Sequence, residues 1–169
     1  MQYQTQTETV FVSDRPILTV RTSVPVTERY PEIDGFYQKM AQSCLEFCRS
    51  RLAERLSKEE EGGFFPPYRY GMSAVHVYED EACFGIRLAV HLRHEWQGRR
   101  LFAFGDAQVF DKSDERMLLP REILRLLGEV PKGEKYRLGK EGILPENGFL
   151  KIWREGAWQI LCPMRKREE

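Results

Sequence analysis

No run of apolar residues in this chain approaches the roughly 20 needed for a membrane-spanning helix, so no membrane span is expected. Charge of one sign is lacking too: 26 lysines and arginines balance 26 aspartates and glutamates. A net charge of zero gives no overall pull toward nucleic acid or an anionic membrane, and no nucleic-acid partner is expected. The basic runs Arg99-Arg100 and Arg165-Lys166-Arg167 are short and offset by nearby acids. The start, MQYQTQTETVFVSDR, has no basic segment leading into an apolar one. It does not read as a signal peptide, so the chain as written is expected in the cytoplasm.

Cysteine is scarce and unpatterned. Cys44, Cys48, Cys83 and Cys162 form no CxxC pair, which argues against a zinc site or a disulfide framework and for buried reduced thiols. There is no GxSxG elbow, phosphate-binding glycine loop, GxGxxG or HExxH. Only His76, His91 and His94 could serve as imidazole ligands. His91 and His94, three apart in a strand, point to opposite faces. No metal, no cofactor and no catalytic residue is expected.

What is present is strong periodicity. The 169 residues suit one domain with a sizeable core. Thr9 to Val26 reads as one or two strands, with Pro16 and Pro25 favouring an edge. Ile33, Phe36, Met40, Cys44, Phe47, Cys48, Leu52 and Leu56 recur at spacings of three and four. They predict a long helix from Pro31 to about Lys58, ended by Gly62-Gly63. The aromatic crossing FFPPYRY is expected to lay Phe64 and Phe65 over a core edge.

From Met72 to Phe110 the period is two. Counting from loops centred on Asp80-Glu81 and Gln97-Gly98 places Val77 opposite Phe84 and Leu88 opposite Ala107. The first face then holds Val75, Val77, Phe84, Ile86, Leu88, Val90, Leu92, Leu101, Ala103, Gly105, Ala107 and Val109. This is the expected core, with room over its small third strand for the long helix. The second face carries His76, Tyr78, Arg87, His91, Arg93, Phe102, Phe104, Asp106, Gln108 and Phe110. Arg87 falls diagonal to Asp106. A second layer could cover this face, or it could pair with its own copy. Later, Asp111, Asp114 and Glu115 read as a solvated turn, Pro120 opens a short helix closed by Gly128, and a hairpin around Glu155-Gly156 brings Trp153 and Trp158 together.

Two stretches carry a family resemblance. ERYPEIDGF before the long helix and VFDKSDERMLLPREIL after the sheet resemble motifs of the extracytoplasmic domain of RsiV-type anti-sigma factors, a domain also found beside peptidoglycan deacetylases. Tyr30, Pro31 and Ile33 match the first motif; Phe110, Asp111, Leu118, Leu119 and Ile123 match the second. The family's Gly/His-rich central loop is replaced here by the short HEWQGRR, and the part after Gly148 is abbreviated. The resemblance implies a binding or sensing domain without catalytic residues, and an extracytoplasmic place if the chain is a trimmed family member.

The expectation is thus a single α+β domain, 1–169: an antiparallel sheet with one long helix on one face and a short second helix. Its function is expected to be non-catalytic binding of a protein or small-molecule ligand through Tyr78, Arg87, His91, Phe104 and Asp106. One alternative is a small hydrolase or thiol enzyme using Cys83 with His76 or His91. Another is a structural protein that self-associates through the second face as a homo-oligomer.

Overall fold

The computed structural model describes residues 1–60, 63–129 and 141–166. Its strands are β1 (Gln2–Val12), β2 (Arg15–Val26), β3 (Tyr68–Glu79), β4 (Cys83–His94), β5 (Arg99–Asp111), β6 (Ile143–Glu146), β7 (Phe149–Arg154) and β8 (Ala157–Pro163). The first five form one sheet in the order β1-β2-β3-β4-β5, and the last three form a second, β6-β7-β8. The helical residues fall into α1 (Pro31–Phe47), a π turn at Cys48–Leu52, α2 (Ala53–Glu59) and α3 (Pro120–Leu127). The α+β class holds, with strand predominating.

The expected all-antiparallel sheet is corrected to a mixed one. Strand β2 runs parallel to β3, pairing Leu18 with Tyr68 through to Ser23 with Ser73. Parallel neighbours cannot be joined by a tight hairpin, and the long helix is their crossover. This also corrects the edge position expected from the prolines. Pro16 and Pro25 lie outside the Leu18–Ser23 segment that pairs with β3, so neither interrupts that parallel ladder, and both fall in the pairing of β2 with β1.

The chain divides into two compact units, Met1–Ala74 with Ala89–Phe104, and Val75–Leu88 with Gly105–Glu169. In the first unit the core joins Val10, Ile17, Leu18 and Val20 to Leu45, Cys48, Leu52, Ala53 and Leu56 of the helix, with Tyr68 and Leu92. The long helix therefore lies chiefly on β1 and β2, rather than on the faces of β3 to β5 expected to receive it. Its buried line is Ile33, Tyr37, Leu45, Cys48, Leu52, Ala53 and Leu56. Phe47, expected in the stripe, is 45% exposed. Asp34 fixes the helix entry by accepting the Thr27 and Glu28 backbone N–H groups at 2.7 and 3.1 Å. Nor do Phe64 and Phe65 cover a core edge: they are 98% and 73% exposed, and Tyr68 takes the buried place.

The second unit's core gathers Cys83, Val109, Leu118, Ile123, Ile143, Leu150 and Cys162. Here the room beside the small residues of β5 is filled by an indole, not a helix. A Cβ at Gly105 would stand 2.5 Å from Trp153 Cε3. Trp153 meets Trp158 edge-on at 5.6 Å, as the Glu155-Gly156 hairpin requires. Both turn residues have positive φ, +53° and +78°, the backbone a two-residue hairpin needs. A second such turn, Asn147-Gly148, joins β6 to β7 with φ of +53° and +81°.

Two face assignments change. Asp80 N–H donates to Cys83 O at 3.0 Å, and the Asp80 carboxylate accepts the N–H groups of Ala82 and Cys83. This side-chain-stapled turn sits one residue later than the counting assumed. His76 and Phe84, counted onto opposite faces, stack with centroids 4.5 Å apart and planes 21° apart. Since a Cβ on Gly85 would lie 3.1 Å from Tyr78 Cβ, the period-two alternation is interrupted between His76 and Tyr78. On β5, Leu101 was expected in the core but is 39% exposed, whereas Gln108 and Phe110, expected on the second face, are 5% and 3% exposed.

Candidate binding face

Strand β2 alternates between Leu18 and Val24. Leu18, Val20, Thr22 and Val24 are buried, while Arg21 is exposed and Thr19 and Ser23 half-buried on the other side. The parallel register sets Thr19 beside Arg69, Arg21 beside Gly71 and Ser23 beside Ser73. On the outer flank β1 brings Thr5 to Ser23 and Thr7 to Arg21, and Thr5 Oγ1 hydrogen-bonds Ser23 Oγ at 3.2 Å. The first unit therefore presents hydroxyls and guanidiniums on the sheet face turned away from its helix.

His91 sits over this row. A Cβ on Gly71 would fall 2.2 Å from its Cε1 and 2.6 Å from its Nε2, so the imidazole lies against a bare peptide. Around it is a hollow of about 440 Å³ bordered by Arg21, Ser23, Arg69, Ser73 and Arg93. Arg69 reaches Glu95 at 3.2 Å. Among the described residues Arg21 and Arg93 have no carboxylate within 4.0 Å. Burial lowers the His91 pKa, and the charges of Arg93, Arg100 and Arg69 lower it further.

His94, on the opposite parity of the strand, is buried and committed. Its Nδ1 accepts the Gln97 backbone N–H at 3.1 Å, which leaves Nε2 to carry the proton toward Glu60. Tyr68 and Trp96 meet its ring edge-on at 5.1 and 5.9 Å. Glu60→Gln keeps an acceptor for that proton but removes the charge assistance. It is expected to cost about 1 kcal/mol, read by urea denaturation; no loss would mean that Glu60 does not hold the ring.

The expected binding residues are distributed between the units. His91 and Phe104 belong to the first, where Phe104 is 43% exposed. Tyr78, Arg87 and Asp106 belong to the second. Tyr78 donates its hydroxyl to Asp80 Oδ2 at 2.6 Å. Arg87 is held by Glu146, at 3.2 and 3.3 Å from its carboxylate oxygens, and not by Asp106 as the diagonal suggested. Asp106 accepts the Ala107 N–H at 2.8 Å and the Gln108 side chain at 3.4 Å. Arg93 shares the face expected for His91, but Arg21, Arg69, Ser23 and Ser73 carry no such expectation from the sequence. Their signal was present in TVRTS and RYGMS, but only the parallel pairing of β2 with β3 places them together.

Burial raises the Asp106 pKa, outweighing the two hydrogen bonds that lower it. A carboxyl raised in the fold gives a stability contribution present below the unfolded pKa and lost as pH rises through the folded one. Asp106→Asn keeps a carbonyl oxygen for Ala107 without the titration. Between pH 3.5 and 6.5 the variant should gain stability relative to the wild type; a relative loss on raising the pH would overturn the burial assignment.

No protein-family model matches the chain, and no curated protein matches it. Among solved structures it is similar to a DUF3298 family protein from Pseudomonas aeruginosa PAO1, at 15% identity and a TM-score of 0.43. That match covers 79% of this chain and 57% of the other. It is also similar to a member of the DUF3298 family from Bacteroides fragilis NCTC 9343, at 12% identity and a TM-score of 0.44, over 76% of this chain and 61% of the other. The chain thus spans less than two thirds of the length of either structure. These likenesses assign no residue a role, and neither structure is described as an RsiV-type anti-sigma factor.

Proposed function

We propose that this chain is a non-catalytic binding domain that takes its ligand on the outward sheet face of the first unit, around His91. The observation that carries this reading is the imidazole seated on Gly71 in a hollow bordered by arginines and serines. Such a setting offers convergent donors and shape, which binding requires. Cys83, the nucleophile of the enzymatic alternative, lies 2% exposed among apolar side chains of the second unit, where a thiol is inert. A thermal-shift screen of neutral, cationic and anionic metabolites tests the proposal. At least one class should raise the Tm saturably, be recovered chemically unchanged, and lose its effect on Arg21→Gln/Arg93→Gln. A panel that leaves the wild type unmoved, or a compound returned as product, would reject it.

A second reading is self-association through β5, an end strand of its sheet. Leu101, Phe102 and Phe104 there are 39%, 49% and 43% exposed, and open edge strands invite pairing. Sedimentation equilibrium at micromolar concentration decides it. A dimer split into folded monomers by Phe104→Asp supports this reading, and a monomeric wild type rejects it.

A further inference from the structure

We propose that the hollow over Gly71 binds the oxyanion group of a small ligand, a carboxylate or a phosphoryl group, held by Arg21, Arg69 and Arg93 with His91 as its floor. This rests on the binding reading above and names the ligand class. Three elements supply the cations: Arg21 comes from β2, Arg69 from β3, and Arg93 with His91 from β4. The register brings Arg21 beside the bare peptide of Gly71 and flanks it with Ser23 and Ser73, whose hydroxyls can donate. Glu95 at Arg69 is the one carboxylate paired within this group among the described residues. Arg21 and Arg93 keep their guanidinium donors, and a guanidinium is the side chain best matched to planar or tetrahedral oxyanions. Like charges gathered on one face repel one another, and an oxyanion seated between them relieves that repulsion.

The floor adds a proton to the recognition. The groups facing His91 are Arg21 on β2, Arg69 on β3, Arg93 on β4 and, electrostatically, Arg100 on β5. All are cations, and burial together with three of them lowers the pKa of its imidazole. An anion in the hollow opposes that field, so His91 gains a proton as the anion enters. By linkage, binding then tightens as the pH falls through the His91 titration.

The test is isothermal titration calorimetry of the whole chain at low ionic strength. Inorganic phosphate and citrate are the anionic probes, distinguishing phosphoryl from carboxylate recognition, and glycerol is the uncharged control. Saturable binding of phosphate or citrate is expected, weakened at least about tenfold in Arg21→Gln/Arg93→Gln, or 1.4 kcal/mol. Arg51→Gln, on the helix and outside the hollow, should bind as the wild type does. NMR of the imidazole ring should show the His91 pKa rising when the tighter anion saturates the protein. Equal weakening by Arg51→Gln, or an unmoved His91, would overturn the site. If no anion binds but a neutral metabolite does and depends on Arg21 and Arg93, the ligand class falls and the binding face stands. If neither binds, both fall.

Discussion

Phe84→Ala is expected to lower the unfolding free energy by about 3–5 kcal/mol, the range for truncating a fully buried aromatic. Phe84 is 0% exposed, as is Ile86 two residues along the same strand, so the deletion leaves a cavity in the core. Its stacked neighbour makes the prediction specific. His76 lies over the ring at 4.5 Å, and such aromatic pairs add about 0.5–1.5 kcal/mol beyond area burial. A double-mutant cycle of Phe84→Ala with His76→Ala, followed by urea denaturation, should return a coupling of that size. A coupling of zero would mean that the two rings do not share a face. The uninterrupted alternation read from the sequence would then be restored.

That pair also shows where sequence reasoning stops. The strands, the long helix, the short helix after Pro120 and the tryptophan hairpin were all legible, because each leaves a local signature in apolar spacing or turn chemistry. Face assignment was less so. Within β3 the burial falls on Tyr68, Met72 and Ala74 rather than on the β-branched Val75 and Val77. One residue out of alternation is enough to exchange the sides. The parallel partnership of β2 with β3 left no local mark at all, since the two strands are joined through the helix and only their register brings Arg21 to Gly71. Of the candidate site, His91 could be chosen from its mixed surroundings. Of the arginines that border it, Arg93 was legible two residues along the same strand, but Arg21 and Arg69 were not, because they belong to strands distant in sequence. Even the choice of Phe64 and Phe65 as core residues failed for a local reason. Pro66-Pro67 ends the aromatic run before β3 begins at Tyr68, and the backbone turns the pair outward.

Gly71→Ala is expected to cost up to about 3 kcal/mol, near the upper end for overpacking a filled site. Two opposing effects set the sign. Alanine in place of glycine restricts the unfolded chain and by itself stabilises by about 0.4–1 kcal/mol where the native backbone allows it. Gly71 does not have the positive φ that would forbid a side chain. The added methyl, however, would stand 2.2 Å from His91 Cε1 and 3.0 Å from its Nδ1, far inside van der Waals contact, so the ring must leave its seat. The obstacle is a side chain and can therefore be removed. Gly71→Ala/His91→Ala should return to within about 0.5 kcal/mol of His91→Ala alone, measured by urea denaturation with both single variants as references. A double variant as unstable as Gly71→Ala would place the clash in the backbone and detach His91 from the glycine. With the rescue, the same glycine accounts for both the seat of the imidazole and the floor of the hollow. In that case Gly71→Ala should also weaken the binding of phosphate or citrate, because the methyl fills the space the anion would share with the displaced ring.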